Sequence, residues 1–232
     1  MSIDRALEAL RAGNFVLVHD APDRENEVDM VIAAESVGPK HVAMTRRDAG
    51  GLICVALHPK IADNFGLPYL TEVYEEASSR FDVFLSIRPD DLPYDERSAF
   101  SLAVNHRRTF TGITDIDRAL TIRELGKLGS KALNGPMIEE FGRNFRSPGH
   151  VPLLRSADGL VLERQGHVEL SIALAEMAGI TPVMVTCEML DVHSNRALSW
   201  EDAVKYAELN GLICLGGAEI IRAYIQHVGQ EE

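Results

Sequence analysis

Short unbroken apolar runs alternate along the chain with stretches whose apolar residues recur three and four positions apart, the spacing of one helix face. The first such stretch, 3–12, follows a capping Ser2 and stops at Gly13. The run 15–18 reads as a strand, and a second, 30–34, follows it across an acidic loop. Pro39 opens a helix that stops near Gly50-Gly51, residues 52–57 form a buried strand, and 60–65 another helix. Runs 81–87 and 100–104 predict two β-strands, separated by RPDDLPYDERSA, which is dense in charge and turn formers. Thr121-Ile-Arg-Glu124 is a capping box that predicts a helix ending at Asn134-Gly135-Pro136. Beyond it the pattern predicts a strand at 151–154, a helix at 167–178 closed by Gly179, and a strand at 183–189. A helix capped by Ser199 runs to 208, and strand 212–215 and helix 218–228 complete the chain.

Strands and helices intermix throughout, without repeats, low-complexity linkers or a domain boundary. The expected class is α/β (α+β), a single domain over residues 1–232 with a layered mixed sheet flanked by helices. At 232 residues the chain is long enough to bury a core without staples. Lys and Arg total 23 against 35 Asp and Glu, a formal charge of -12, which disfavours a nucleic-acid partner. It leaves room for a small anionic substrate, which needs only a local cationic pocket. Cys54, Cys187 and Cys214 lie far apart with no Cys-x-x-Cys spacing, so neither a disulfide framework nor a zinc ribbon is expected. No run reaches membrane-spanning length and no signal core opens the chain, so a reducing cytoplasm and no membrane partner are expected.

Charge is concentrated in one place. HDAPDRENEVD packs Asp20, Asp23, Glu25, Glu27 and Asp29 around Arg24, directly after a strand, where α/β folds hold ligands. If that stretch is extended, Glu25, Glu27 and Asp29 point to one side. A solvated acidic loop is the plain alternative. In RQGHVE, Arg164 and Gly166 precede His167 at a helix start, a seat for phosphate. RSPGH presents His150 from a turn, and Glu188 closes the apolar run PVMVTCEML, where a carboxylate is unexpected. Gly-x-Gly-x-x-Gly, Walker, His-Glu-x-x-His and Gly-x-Ser-x-Gly motifs are absent. A metal-dependent enzyme of sugar phosphates, such as an isomerase or aldolase, and a non-catalytic sugar-phosphate-binding protein both fit these residues.

Taken in order over nearly the whole chain, DRENEVD, TRRDAGGLICVAL, SAFSLAVNHRRTFTGITDIDRALTI, FRSPGHVPLLR, RQGHVE and Cys187-Glu188 narrow that choice. Together they resemble the 3,4-dihydroxy-2-butanone 4-phosphate synthases of riboflavin biosynthesis. PYDERSAFSLAVNHR and FGRNFRSPGH are similar to the archaeal type. The resemblance implies that Glu25 and His167 hold one Mg2+ or Mn2+, with a second ion near Glu27. It implies that Arg24 and Asp29 contact ribulose 5-phosphate, and that Arg164, Gly166 and the backbone at His167-Val168 take its phosphate. His150 and Glu188 would move protons. Cys54, Asp20, Tyr94 and Thr111 would line the pocket, with Glu27 and Cys54 counted among the catalytic groups. The implied reaction converts ribulose 5-phosphate to 3,4-dihydroxy-2-butanone 4-phosphate and formate, in a homodimer with the site near the interface. The chain departs from the family pattern at Val168, where many relatives have a threonine. The missing hydrogen bond to a charged group is worth roughly 1.5–3 kcal/mol. Pro22 and Val28 also depart from the pattern, within the acidic loop.

Overall fold

This computed structural model describes residues 2–89, 91–95 and 97–230. Helix α1 (Ser2–Arg11) buries Ile3, Ala6 and Leu10 and turns through Gly13 into β1 (Val16–His19). The acidic loop returns the chain as β2 (Val28–Ala33), antiparallel to β1. Next come α2 (Pro39–Asp48), β3 (Cys54–Leu57), α3 (Pro59–Phe65), α4 (Leu70–Ala77) and the single turn α5 (Val83–Ser86). Strand β4 (Phe100–His106) leads through the long α6 (Asp115–Ala132) and α7 (Ile138–Asn144) to β5 (Phe145–Arg155). Helix α8 (His167–Ala178) precedes β6 (Val183–Thr186) and the small hairpin β7 (Leu190–Asp191) and β8 (Arg196–Ala197). The described chain then forms α9 (Trp200–Asn210), β9 (Ile213–Gly216) and α10 (Gly217–Val228).

Among the described residues, seven strands form one sheet in the order β4-β5-β3-β6-β2-β1-β9. Two pairings, β1–β9 and β3–β5, are parallel and the rest antiparallel, so the sheet is mixed, as the pattern predicts. Alternate residues of each strand feed two cores. Leu17, Met30, Ile32, Val55 and Leu57 pack against α3 and α6 on one side. Val16, Val18, Val31, Ala56 and Met184 pack against α1, α8 and α10 on the other. Both faces are therefore covered, which is why β1, β2, β3 and β6 are continuous apolar runs rather than alternating ones. Helix α8 lies against the middle of the sheet, and every residue in it except Glu176 is buried. Each large side chain so buried contributes about 1.5–3 kcal/mol, which anchors the α8 N-terminus against the sheet. Strand parity turns Asp29, Cys54 and Thr186 toward that same face. No helix among the described residues is long and apolar enough to cross a membrane.

Several predicted elements change. Residues 81–87 are not a strand. Phe81 and Phe84 sit at helical spacing, and the Phe84 ring stacks on Tyr74 of α4 at 4.7 Å, so the run folds back on α4 instead of joining a ladder. Helix α6 starts earlier than the Thr121 box predicts. Thr114 caps it by accepting the Asp117 N–H at 3.2 Å, and Thr121 lies inside the helix, bonded to the Asp117 carbonyl. Thr114-x-x-Asp117 is an equally good start signal one to two turns upstream. Strand β5 runs six residues further toward the N-terminus than 151–154, because Phe145 and Arg146 pair with His106 and Asn105 of β4. Helices α4 and α7 and the β7–β8 hairpin have no counterpart in the sequence reading.

Candidate metal and phosphate site

The acidic loop is not extended. Residues 22–25 form turns, Asn26 takes a left-handed φ of 56°, and the loop wraps around the buried Asp20. One carboxylate oxygen of Asp20 accepts the Glu25 N–H (2.9 Å) and the other the Glu27 N–H (3.2 Å). The expected one-sided row of Glu25, Glu27 and Asp29 therefore does not arise from strand alternation. Glu25 and Asp29 nevertheless face one cavity, because the turn redirects the first while β2 presents the second.

That cavity, of about 140 Å³, is where α8 meets the loop. Its walls include Glu25, Asp29, Tyr94, Asp95, Arg164, His167, Val168, Thr186 and Glu188. His167 and Glu25, 142 positions apart, approach to 3.3 Å through Nδ1 and Oε2. Nε2 of His167 lies 3.0 Å from the Glu27 carbonyl, which only accepts, so Nε2 donates there and Nδ1 is the nitrogen that meets Glu25. Asp20 and Asp29 oxygens stand 3.9 and 3.8 Å from the same ring. Burial opposes a charged imidazole, but Asp29, Glu25 and Asp20 around it raise the His167 pKa to about 10. Burial also opposes a charged Glu25, yet the His167 hydrogen bond and the nearby Arg24 and Arg164 hold it below the ordinary carboxylate range. Asp29 is pushed up by burial and by Glu188, Glu25 and Glu27. Glu27 is pushed up by burial and by Glu188 and Glu25.

The donor set fits a hard divalent cation. One ligand atom each from Asp20, Glu25 and His167 lies within 4.8 Å of the others. Oxygen-rich, partly open sites of that span suit Mg2+ or Mn2+. The Oδ1 of Asp29 is buried with no hydrogen-bond partner among the described residues, the mark of a group built to meet something else.

Beside the acids lie two guanidinium groups. Arg24 Nη1 reaches Glu25 at 3.2 Å and Asp20 at 3.5 Å, and the group sits 5.7 Å from the Tyr94 ring centre. Arg164 is held from behind by the fully buried Glu169 at 2.5 Å. Asp95 joins the two, accepting from Arg24 Nη2 at 2.8 Å and from Arg164 Nε at 2.6 Å. Gly166 is the N-cap of α8, and a Cβ there would meet Arg164 Nη1 at 2.5 Å and Arg24 Nη2 at 2.9 Å. Glycine leaves room for both guanidinium tips close over the helix start, where a side chain would push them aside. Val168 follows in the first turn, buried, with its side chain on the cavity wall.

Glu188 accepts the Leu52 N–H at 2.8 Å and faces the cavity, at the bridge where its backbone pairs with Asp29. Cys54 lies beneath, opposite Thr186 on β6, and burial followed by Glu188 and Asp29 pushes its thiol pKa up. It sits outside the cavity walls, as a protonated thiol in the packed floor rather than a thiolate. His150 and Thr111 are also outside those walls. They meet each other through Asn105, whose amide contacts the His150 ring at 3.1 Å and the Thr111 carbonyl at 3.4 Å. Asp95, Glu169 and Asn105 carry no sequence signal of their own. Asp95 lies in PYDERSA, where turn-forming composition hides a residue that folds onto arginines 69 and 71 positions away.

A mixed, doubly covered sheet with acids, a histidine and two arginines at one helix N-terminus makes this an α/β protein whose donor groups fit a divalent cation beside an anion. The family model of 3,4-dihydroxy-2-butanone 4-phosphate synthase matches residues 4–223. The 3,4-dihydroxy-2-butanone 4-phosphate synthase of Methanothermobacter thermautotrophicus is 54% identical over 97% of this chain and 96% of its own. That of Archaeoglobus fulgidus is 50% identical over 97% and 94%. A crystal structure of such a synthase in complex with two magnesium ions superposes with a TM-score of 0.76 at 30% identity, covering 97% of this chain and 96% of that one. The chain belongs to the 3,4-dihydroxy-2-butanone 4-phosphate synthase family, enzymes of riboflavin biosynthesis.

Proposed function

We propose that this chain converts ribulose 5-phosphate to 3,4-dihydroxy-2-butanone 4-phosphate and formate, as a homodimer in the cytoplasm with Mg2+ or Mn2+ bound. The observation that carries the reading is the meeting of Asp20, Glu25 and His167 within 4.8 Å, next to the Arg24–Arg164 pair. Bound there, the cation would polarise the substrate ketone and its neighbouring hydroxyls. Arg24, Arg164 and the α8 N-terminus at Gly166 take the phosphate, displacing the Asp95 carboxylate that now joins them. Glu188, on the cavity wall, and Glu27, whose carboxyl is pushed up by burial and by Glu188, accept and return protons, with Asp29 orienting the sugar hydroxyls. Tyr94 closes the outer wall over Arg24.

His150 and Thr111 enter through the dimer. They stand apart from the cavity of their own protomer, amid exposed Phe110, Ile113 and Ile116, an apolar rim that a second copy would cover. Each site would then be completed by these residues of the partner subunit. The test is formate and four-carbon product from ribulose 5-phosphate, with and without chelator. Formate that disappears with chelator and returns with magnesium supports the reading. Isomerisation without formate would establish a sugar-phosphate isomerase instead.

A further inference from the structure

We propose that Asn105 is the positioning residue that sets the His150 ring as its Nε2–H tautomer, so that His150 meets the substrate as a hydrogen-bond donor and not as the base. Its use in the reaction rests on the function proposed above; the ring assignment does not.

Asn105 lies on β4, 4% exposed. Its two amide ends have neighbours of opposite kind. Oδ1 stands 2.8 Å from the backbone nitrogen of His150, and a backbone N–H only donates. Nδ2 stands 3.4 Å from the Thr111 carbonyl, which only accepts. Both contacts demand the same orientation of the amide. The Nδ2 so placed is 3.1 Å from Nδ1 of the His150 ring. An N–H there requires a lone pair on Nδ1, and in the neutral ring the proton then belongs to Nε2.

The clamp is closed on both sides. Gly112 has a φ of +94°, and a Cβ on it would collide with the Asn105 amide. The Gly112 N–H is tied in turn to Asp117 at 2.8 Å. A Cβ on Gly149 would strike the backbone at Val104 and Asn105. The amide is closely packed, and its opposed partners, the His150 N–H on Oδ1 and the Thr111 carbonyl on Nδ2, hold it in that orientation. With Nδ1 engaged, Nε2–H is the ring group left to face solvent, with no hydrogen-bond partner among the described residues. A neutral imidazole presenting N–H polarises a carbonyl or enediol oxygen. The base that starts the reaction then lies among the carboxylates of the cavity.

The experiment is nitrogen NMR of the full chain labelled in its histidine rings, with His150 assigned by comparison with His150→Gln. The expected result is a bare Nδ1 and a protonated Nε2 in the neutral ring. In Asn105→Asp the carboxylate only accepts, so the proton moves to Nδ1, and kcat for formate release falls about tenfold or more, with a smaller change in KM. A native ring protonated at Nδ1, or an Asn105→Asp protein that keeps Nε2–H, overturns the proposal. The native measurement decides even where the variant fails to fold. An enzyme with the expected tautomer that makes no formate from ribulose 5-phosphate would sink the proposed function and leave this assignment standing.

Discussion

Val168 makes hydrocarbon of a cavity wall where the family resemblance implies a threonine hydroxyl, one residue after His167. Its methyls also belong to the core between α8 and the sheet. Val168→Thr is expected to lower the apparent KM for ribulose 5-phosphate about tenfold, since one hydrogen bond to a charged group is worth about 1.5–3 kcal/mol. The same change should cost about 1 kcal/mol of stability, because a hydroxyl replaces a buried methyl. Steady-state formate release and thermal unfolding measure the two. An unchanged KM would remove the phosphate from that wall. Glu25 is the opposite case, a partly buried carboxylate kept ionised by His167, Arg24 and Arg164. Glu25→Gln keeps the shape and removes the charge. Metal affinity by calorimetry should drop by more than about tenfold, and formate release should nearly vanish. A metal-saturated, active Glu25→Gln enzyme would exclude Glu25 as a ligand.

Among the elements, α8 carries the site because it is buried on almost every side and its N-cap is a glycine beneath two guanidinium groups. The segment from α5 to β4 lays Asp95 between those groups. A carboxylate between two arginines competes with an incoming phosphate for the same donors. Asp95→Asn should therefore tighten binding of inorganic phosphate several-fold, up to about tenfold for a lost charge-assisted contact, measured by calorimetry on the metal-loaded protein. Weaker phosphate binding would mean that Asp95 instead holds Arg24 and Arg164 ready for the ligand. The same segment is where local pattern misleads. Residues 81–87 have strand-like apolar density, yet Phe84 finds its partner in Tyr74 and the run closes as a helical turn. Glu96 of the PYDERSA motif lies outside the described residues.

For the molecule as a whole, the β4–β5 edge of the sheet carries the Asn105, Thr111 and His150 group together with Phe110, which is 92% exposed, and Ile116, which is 69% exposed. Together with Ile113 they cluster as an exposed apolar patch, and contiguous patches of this kind mark interaction surfaces. Phe110→Glu is expected to yield monomers by sedimentation and to lower formate release steeply while leaving metal binding at Glu25 and His167 intact. Mixing Glu25→Gln with His150→Gln protomers should restore activity that neither has alone. Failure to restore it, in mixtures proven to exchange subunits, would place both residues in one protomer's site.

The sequence by itself determined the mixed α/β class, the buried strands, the α8 boundaries at His167 and Gly179, and the acidic and RQGH clusters. Each depends on contacts within a few residues: a cap, a chain reversal or a run of apolar side chains destined for a doubly covered sheet. The tertiary structure alone decided that Asp20, Glu25 and His167 converge, that Asp95 closes the arginine pair, and that Asn105 turns the His150 ring. It also decided where β5 begins, since Phe145 and Arg146 become strand only by pairing with β4. Such meetings depend on strand order and on the closure of long loops, and side chains brought together from distant positions leave no periodic trace in the chain between them.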